Sequence, residues 1–110
     1  MSDDTIEKFE AMLTRGMDNP MLRLTLGNAY WKAGELERAA EHLKSAVQQK
    51  SDYSVAWKVL GRVYSDADQY QQALDAFDKG LSSAAENGDK QNEKEITVFR
   101  KRVVKAMQAQ

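Results

Sequence analysis

Side-chain chemistry in this 110-residue chain would have to start from His42, because it is the one histidine and there is no cysteine. A triad or a Cys/His pair needs an imidazole beside a nucleophile, and no serine stands in the nucleophile-elbow pattern. A tight transition-metal site needs several ligands, and no second imidazole or thiolate exists to join His42. Since His42 falls on the side of its predicted helix away from the apolar residues, we interpret it as a solvated surface residue.

Glycine-rich phosphate loops are also missing from the sequence, which contains neither the Gly-x-Gly-x-x-Gly fingerprint nor a Walker sequence. Acidic residues are plentiful, but they are scattered along the polar faces of the predicted helices. Nothing in their spacing marks a buried pair of the kind that general acid–base catalysis uses. We therefore predict a non-enzymatic protein with no cofactor and no metal.

The charge and composition of the chain favour a cytoplasmic protein that binds neither nucleic acid nor membrane. The net charge is −1 and the pI is about 5.8, whereas nucleic-acid binders usually carry a basic footprint. No apolar run approaches the ~20 residues of a membrane span, and the first residues lack a secretory leader pattern. The lack of cysteine gives no sign of an oxidising compartment.

Charge differs between the two ends of the chain. Residues 1–19 hold five acidic and two basic residues, whereas residues 94–110 hold five basic and one acidic residue. This polarity could direct head-to-tail contacts between copies, but solvated helix faces explain it more simply.

The elements that position these side chains are predicted to be helices that recur every 34 residues. Asn19 followed by Pro20 predicts a helix start, and Gly34 predicts the end of that helix. Asp68 stands 34 residues after Gly34 and tolerates the same tight turn. The period aligns Leu26 with Leu60, Gly27 with Gly61, Tyr30 with Tyr64, Ala39 with Ala73, and Leu43 with Phe77.

These aligned residues resemble the tetratricopeptide repeat family, in particular its small bacterial members. The resemblance is carried by Trp57-Lys58-Val59-Leu60-Gly61-Arg62-Val63-Tyr64 with Ala73, Phe77 and Leu81, and by Leu26-Gly27-Asn28-Ala29-Tyr30 with Gly34, Ala39, Leu43 and Ala46. Arg23 departs from the family pattern, because it stands where the first copy would have a tryptophan. The resemblance implies an all-α fold, a right-handed α-solenoid of antiparallel helix pairs with about six helices.

The repeat register divides a single domain, residues 1–110, into four parts. We expect an N-terminal helix over 4–15 equivalent to half a repeat, repeats over 20–53 and 54–87, and a C-terminal capping helix over 89–107. The apolar residues of the capping helix fall on one stripe, formed by Ile96, Phe99, Val103 and Met107.

The resemblance also implies a binding surface, because ligands of this family most often lie in the concave groove lined by the first helix of each pair. Asn28, Lys58 and Arg62 would form a polar, cationic spot there, suited to a partner segment that carries a carboxylate. Trp31 would add an aromatic anchor, unless it packs under the N-terminal helix, and Lys58 and Arg62 could instead be merely solvated surface. The predicted groove residues are Met21, Leu24, Thr25, Asn28, Trp31, Lys32, Val55, Lys58, Val59 and Arg62, with Asp66, Asn92, Ile96 and Phe99 as further candidates.

The expected function is a scaffold or adaptor that binds a protein or peptide partner, with an acidic segment or C-terminal carboxylate, and remains a monomer. Some family members grip the C-terminal carboxylate of chaperones. Leu24 and Val59 stand where that clamp has a lysine and an asparagine, so we do not predict chaperone-tail binding. The alternatives for binding are the convex face and the ends. The alternative function is a self-associating structural protein that uses its exposed terminal helices.

Overall fold

The computed structural model of this chain describes residues 3–110, with side chains from residue 4 onward, and this part contains helices and turns but no strand. Residues 1 and 2 of the predicted domain lie outside the described residues. The helices are α1 (Asp3–Thr14), α2 (Pro20–Lys32), α3 (Leu36–Gln49), α4 (Ser54–Asp66), α5 (Tyr70–Asn87) and α6 (Lys90–Gln108). The helices α2 and α3 form one pair, α4 and α5 form the next, and α6 packs against α5. The predicted all-α solenoid of helix pairs is confirmed.

A glycine lets the two helices of each pair approach closely. A methyl group added at Gly27 would lie 2.5 Å from Leu43 Cγ, and one added at Gly61 would overlap the ring of Phe77. Leu43 and Phe77 are fully buried, so these contacts lie in the centre of each pair, where packing is tight. The 34-residue period therefore reflects the same close helix contact, which occurs once in each pair.

The turns between the helices follow the sequence signals. Asn19 Oδ1 accepts a hydrogen bond from the backbone N–H of Leu22 at 2.8 Å and so caps α2. Gly34 and Asp68 have positive φ values of +80° and +59°, as predicted for two equivalent turns. Within residues 3–110, Asp68 is the only non-glycine residue with positive φ, and its carboxylate accepts a hydrogen bond from the Tyr70 hydroxyl.

The apolar core runs from α1 to α6 as two clusters. The larger cluster joins α1 to α5, and the smaller joins α5 to α6 through Phe77, Ile96 and Val103. Tyr64 packs against both clusters and so links them. Met107, which was expected to extend the apolar stripe of α6, is 36% exposed, because it lies at the far end of the α5–α6 pair.

Candidate functional site

The even-numbered helices share the inner face of the solenoid. The backbones of α2 and α4 approach each other closely, as do those of α4 and α6, whereas in the described chain the backbones of α1, α3 and α5 do not. Helices on the inside of a curved stack are crowded together and those on the outside spread apart. The surface formed by α2, α4 and α6 is therefore the concave groove.

The structure places most of the predicted groove residues at partly accessible positions of these helices. Leu24, Thr25, Asn28, Trp31, Val55, Lys58 and Arg62 are half-buried, as are Asn92 and Phe99, whereas Met21, Lys32 and Asp66 are exposed. Val59 and Ile96 are only 6% and 0% exposed. These last two side chains belong to the apolar core, so a ligand in the groove cannot reach them.

Lys58 is paired within the groove. Its Nζ donates hydrogen bonds to Glu95 Oε1 at 2.7 Å and to Asn92 Oδ1 at 2.8 Å, both on α6, and its side chain is only 15% exposed. The Lys58 hydrogen bond, with a smaller contribution from Gln91, lowers the pKa of Glu95. The charge of Lys58 is therefore neutralised by its own chain.

Arg62, near the C-terminal end of α4, lies between aromatic rings from the two neighbouring helices. Its guanidinium carbon is 4.7 Å from the ring centre of Trp31 on α2 and 4.2 Å from that of Phe99 on α6. Trp31 Nε1 donates a hydrogen bond to Asp66 Oδ2 on α4 at 2.7 Å. Trp31 therefore packs along the groove towards α4, which removes the alternative that it packs under α1.

Arg102 is a groove residue that the sequence analysis missed. Its guanidinium carbon lies 5.4 Å from the ring centre of Phe99, on the same helix. A cavity of about 160 Å³ opens here, lined by Arg62, Ser65, Asp66, Phe77, Phe99 and Arg102. The spacing of three residues between Phe99 and Arg102 was the available signal, since it places both side chains on one side of α6.

The interpretation of His42 as a solvated surface residue is wrong, because its side chain is only 12% exposed. Its Nε2 lies 3.0 Å from Glu10 Oε1, its Nδ1 lies 3.1 Å from Arg23 Nη1, and its ring stacks on Tyr30. Arg23 also donates two hydrogen bonds of 2.9 Å to Asp18 and holds the pKa of that carboxyl well below its usual range. His42 points away from the apolar face of α3, but side chains from α1 and α2 cover it.

Two further features concern the whole described chain. Among residues 3–110, no group of three or more histidine or acidic side chains is arranged to hold a metal ion. No helix in this part of the chain is both long and apolar enough to cross a membrane.

Comparison with known sequences identifies one relative of similar length and one that is much longer. The family model described as tetratricopeptide repeat matches residues 31–90. A TPR repeat-containing protein of Pseudomonas aeruginosa is 48% identical over 101 residues, which cover 92% of this chain and 96% of the relative. A heat-shock cognate co-chaperone of Aspergillus fumigatus is 26% identical over 101 residues, and this chain spans only 30% of it.

Solved structures agree with these sequence relationships. The solution structure of a Bordetella parapertussis protein has a TM-score of 0.80 and 39% identity, over 92% of this chain and 88% of the other. The TPR domain of Sgt2 from Aspergillus fumigatus has a TM-score of 0.78 and 27% identity, over 94% of this chain and 68% of the other. Because the family model matches more than half of the chain and a full-length relative is 48% identical, this chain belongs to the tetratricopeptide repeat family.

Proposed function

We propose that this chain is a non-enzymatic scaffold that binds one segment of a protein or peptide partner in the concave groove of α2, α4 and α6. The observation that carries the proposal is the contact of Arg62 with Trp31 and Phe99, which joins all three helices of the groove. Aromatic and arginine side chains held in place by packing dominate the energetics of protein interfaces. Little conformational entropy is left to lose when a partner covers them.

The partner segment in this proposal carries a carboxylate, either in an acidic stretch or at its C-terminus. Asn28 supports this ligand class, since it is half-buried and its side chain has no hydrogen-bond partner among residues 3–110. Arg62 supports it too, as a cation without a carboxylate partner in the described chain. Lys58 does not, because Glu95 and Asn92 already hold its ammonium group.

The chaperone-tail clamp remains outside the proposal. One relative is described as a heat-shock cognate co-chaperone, but Leu24 and Val59 supply no polar group at the two clamp positions, and Val59 is buried. The pairing of Lys58 removes a further cation from the middle of the groove.

Self-association through the terminal helices is the second candidate function. The charge difference between α1 and α6 favours it, since opposite charges attract between copies. Against it, the open side of α6 is polar, with Lys94, Thr97 and Lys101 exposed beside Val98. A polar outer face is typical of a helix that caps a solenoid, so we favour a monomer.

The groove proposal can be tested with peptides selected from a random library, displayed both internally and with free C-termini, on the immobilised protein. We expect the best peptide to lose at least about tenfold in affinity to an Asn28→Arg variant, because the larger side chain fills the groove. Gln72→Arg is the matched control, since it makes the same kind of change at an exposed position of α5. Titration calorimetry measures both affinities, and circular dichroism confirms that both variants are folded.

The opposite pattern would exclude groove binding. If Gln72→Arg weakens the peptide and Asn28→Arg does not, the ligand lies on the convex face formed by the odd-numbered helices.

A further inference from the structure

We propose that Arg62 and Arg102, both held on the ring of Phe99, form a subsite for one carboxylate of the bound segment. The subsite rests on the groove function proposed above and specifies its chemistry. It lies at the C-terminal end of α4 and includes neither Leu24 nor Val59, the two clamp positions named above.

Both guanidinium groups contact the ring of Phe99 and line the same cavity. The guanidinium carbon of Arg62 lies 4.2 Å from the ring centre of Phe99, and that of Arg102 lies 5.4 Å from it. Contact with an aromatic face leaves the N–H groups at the edge of the guanidinium free to donate. Two arginines on one ring can therefore direct donors to a single anion.

Neither guanidinium is paired with an acid in the described chain. Three of the other four arginines have such partners: Arg23 pairs with Asp18, Arg38 with Glu35, and Arg100 with Asp78. Arg62 and Arg102 have no salt bridge and no hydrogen bond to any residue of this part of the chain. Their donors are satisfied only by solvent until a ligand arrives.

Two acidic residues of the groove, Asp66 and Glu95, already have hydrogen-bond partners. Asp66 accepts the Trp31 indole N–H at 2.7 Å, and Glu95 accepts hydrogen bonds from Lys58 and Gln91. The indole is neutral, so Asp66 keeps its negative charge beside the cavity that it lines, whereas Lys58 neutralises Glu95. The two arginines therefore leave one net positive charge at the subsite. The unpaired positive charge of the groove therefore lies at Arg62 and Arg102, and not at Lys58.

The size and chemistry of the cavity suit a carboxylate. Its volume of about 160 Å³ admits a carboxylate with a short aliphatic stem and leaves little space for a larger group. A planar carboxylate matches the fork of a guanidinium and forms two parallel hydrogen bonds with it. The Ser65 hydroxyl lines the same cavity and can donate a further hydrogen bond.

The experiment measures carboxylate binding directly at the arginine side chains, without a peptide. The Nε–Hε signals of the arginines are followed by NMR at constant ionic strength during separate titrations with two probes. N-acetylalanine carries only an α-carboxylate, as a peptide C-terminus does, and N-acetylglutamate α-amide carries only a side-chain carboxylate. N-acetylalanine amide is the uncharged control.

We expect saturable shifts at Arg62 and Arg102 that are at least about threefold larger than those at Arg15 and Arg38, because bidentate contacts act locally. Tighter binding of N-acetylalanine identifies the subsite as one for a C-terminus, and tighter binding of the glutamate derivative identifies it as one for an acidic segment. In either case Arg102→Gln should weaken binding by about tenfold, the value of one charge-assisted hydrogen bond. Lys101→Gln removes the same charge from the neighbouring, exposed position and should leave the affinity unchanged.

Two results would overturn the subsite. One is a response at Arg62 and Arg102 no larger than that at Arg15 and Arg38, and the other is an equal loss in Lys101→Gln and Arg102→Gln, which indicates a general field effect. Both leave the groove function standing, because that function is read from the Asn28→Arg and Gln72→Arg pair with selected peptides. Conversely, if the selected peptides respond to Gln72→Arg and not to Asn28→Arg, the groove function is contradicted, while the NMR response of the arginines to the two probes still tests the subsite.

Discussion

At the scale of single residues, a polar network replaces the tryptophan that the family has in the first helix of a repeat. Arg23 occupies that position and bridges Asp18 and His42. Since a guanidinium can only donate, Nδ1 of His42 must accept, and the proton of the neutral ring then lies on Nε2, which donates to Glu10. Protonation of Nδ1 would set two donors against each other, so this arrangement requires the neutral imidazole.

The single histidine makes a prediction about pH. Burial lowers the pKa of His42, with Arg23 acting in the same direction and Glu10, together with the nearby Glu41, in the opposite one. Because the pKa is lower in the folded state than the ordinary value of about 6.5 in the unfolded chain, folding releases a proton in the window below that value. The contribution of His42 to the free energy of unfolding is therefore complete above pH 6.5. It is lost as the pH falls from 6.5 to the lower pKa of the folded protein.

Urea unfolding at a series of pH values between 5 and 8 measures this effect. We expect the free energy of unfolding to fall with decreasing pH in the wild type. The same dependence should be much weaker in His42→Gln, which keeps a donor and an acceptor but does not titrate. Identical pH dependence in the two proteins would show that His42 does not control it.

At the scale of elements, the spacing between paired helices depends on the glycines at their contact. Gly61 faces the ring of Phe77, which is fully buried between α4 and α5 and reaches α6 through Phe99. Any side chain at this position must separate α4 from α5. Because α6 rests on both helices, such a separation would also disturb the floor of the groove beneath Arg62.

Gly61→Ala is expected to destabilise the protein by about 2 kcal/mol, because overpacking of a tight core exceeds the gain in helix propensity from alanine. In a Phe77→Val background, where the ring atoms are gone, the same change should cost less or become favourable. Urea unfolding of the four proteins completes the double-mutant cycle. Additive effects in the cycle would contradict a direct clash between residue 61 and the ring.

At the scale of the whole molecule, the solenoid is a linear stack in which each helix contacts mainly its neighbours. Its ends differ in how firmly they are attached. The helix α6 is fixed by Ile96 and Val103 in the core, whereas between residues 4 and 14 of α1 only Ile6 is buried. The acidic α1 and the basic α6 are the two ends of the stack, so each has a side that no further helix of this chain covers. Association of α1 in one copy with α6 in another is the alternative to a monomer.

Sedimentation equilibrium from micromolar to submillimolar concentrations tests the oligomeric state. We expect a constant mass of 12.4 kDa, because charged groups on the open side of α6 resist burial in an interface. A mass that rises with concentration, and more steeply at low salt, would instead support head-to-tail association through opposite charges.

Local and periodic signals in the sequence were sufficient to predict the helices, their pairing and the family. Asn19, Gly34 and Asp68 mark helix ends through local backbone preferences, and the small residues Gly27 and Gly61 mark the close contacts of a repeated helix pair. These signals act between neighbours in the chain or recur at a fixed period, so they can be read without coordinates. The inward-facing helices followed from the same register and the family resemblance.

Only the tertiary structure decided which groove residues are paired, buried or free. Glu95 and Asn92 reach Lys58 across 37 and 34 residues of chain, His42 is covered from α1 and α2, and Arg102 meets Arg62 only through the ring of Phe99. The pattern along one helix reveals which side chains share a face, but not what the next helix places opposite them. Long side chains reach partners that depend on the position of several helices at once, and packing alone sets those positions.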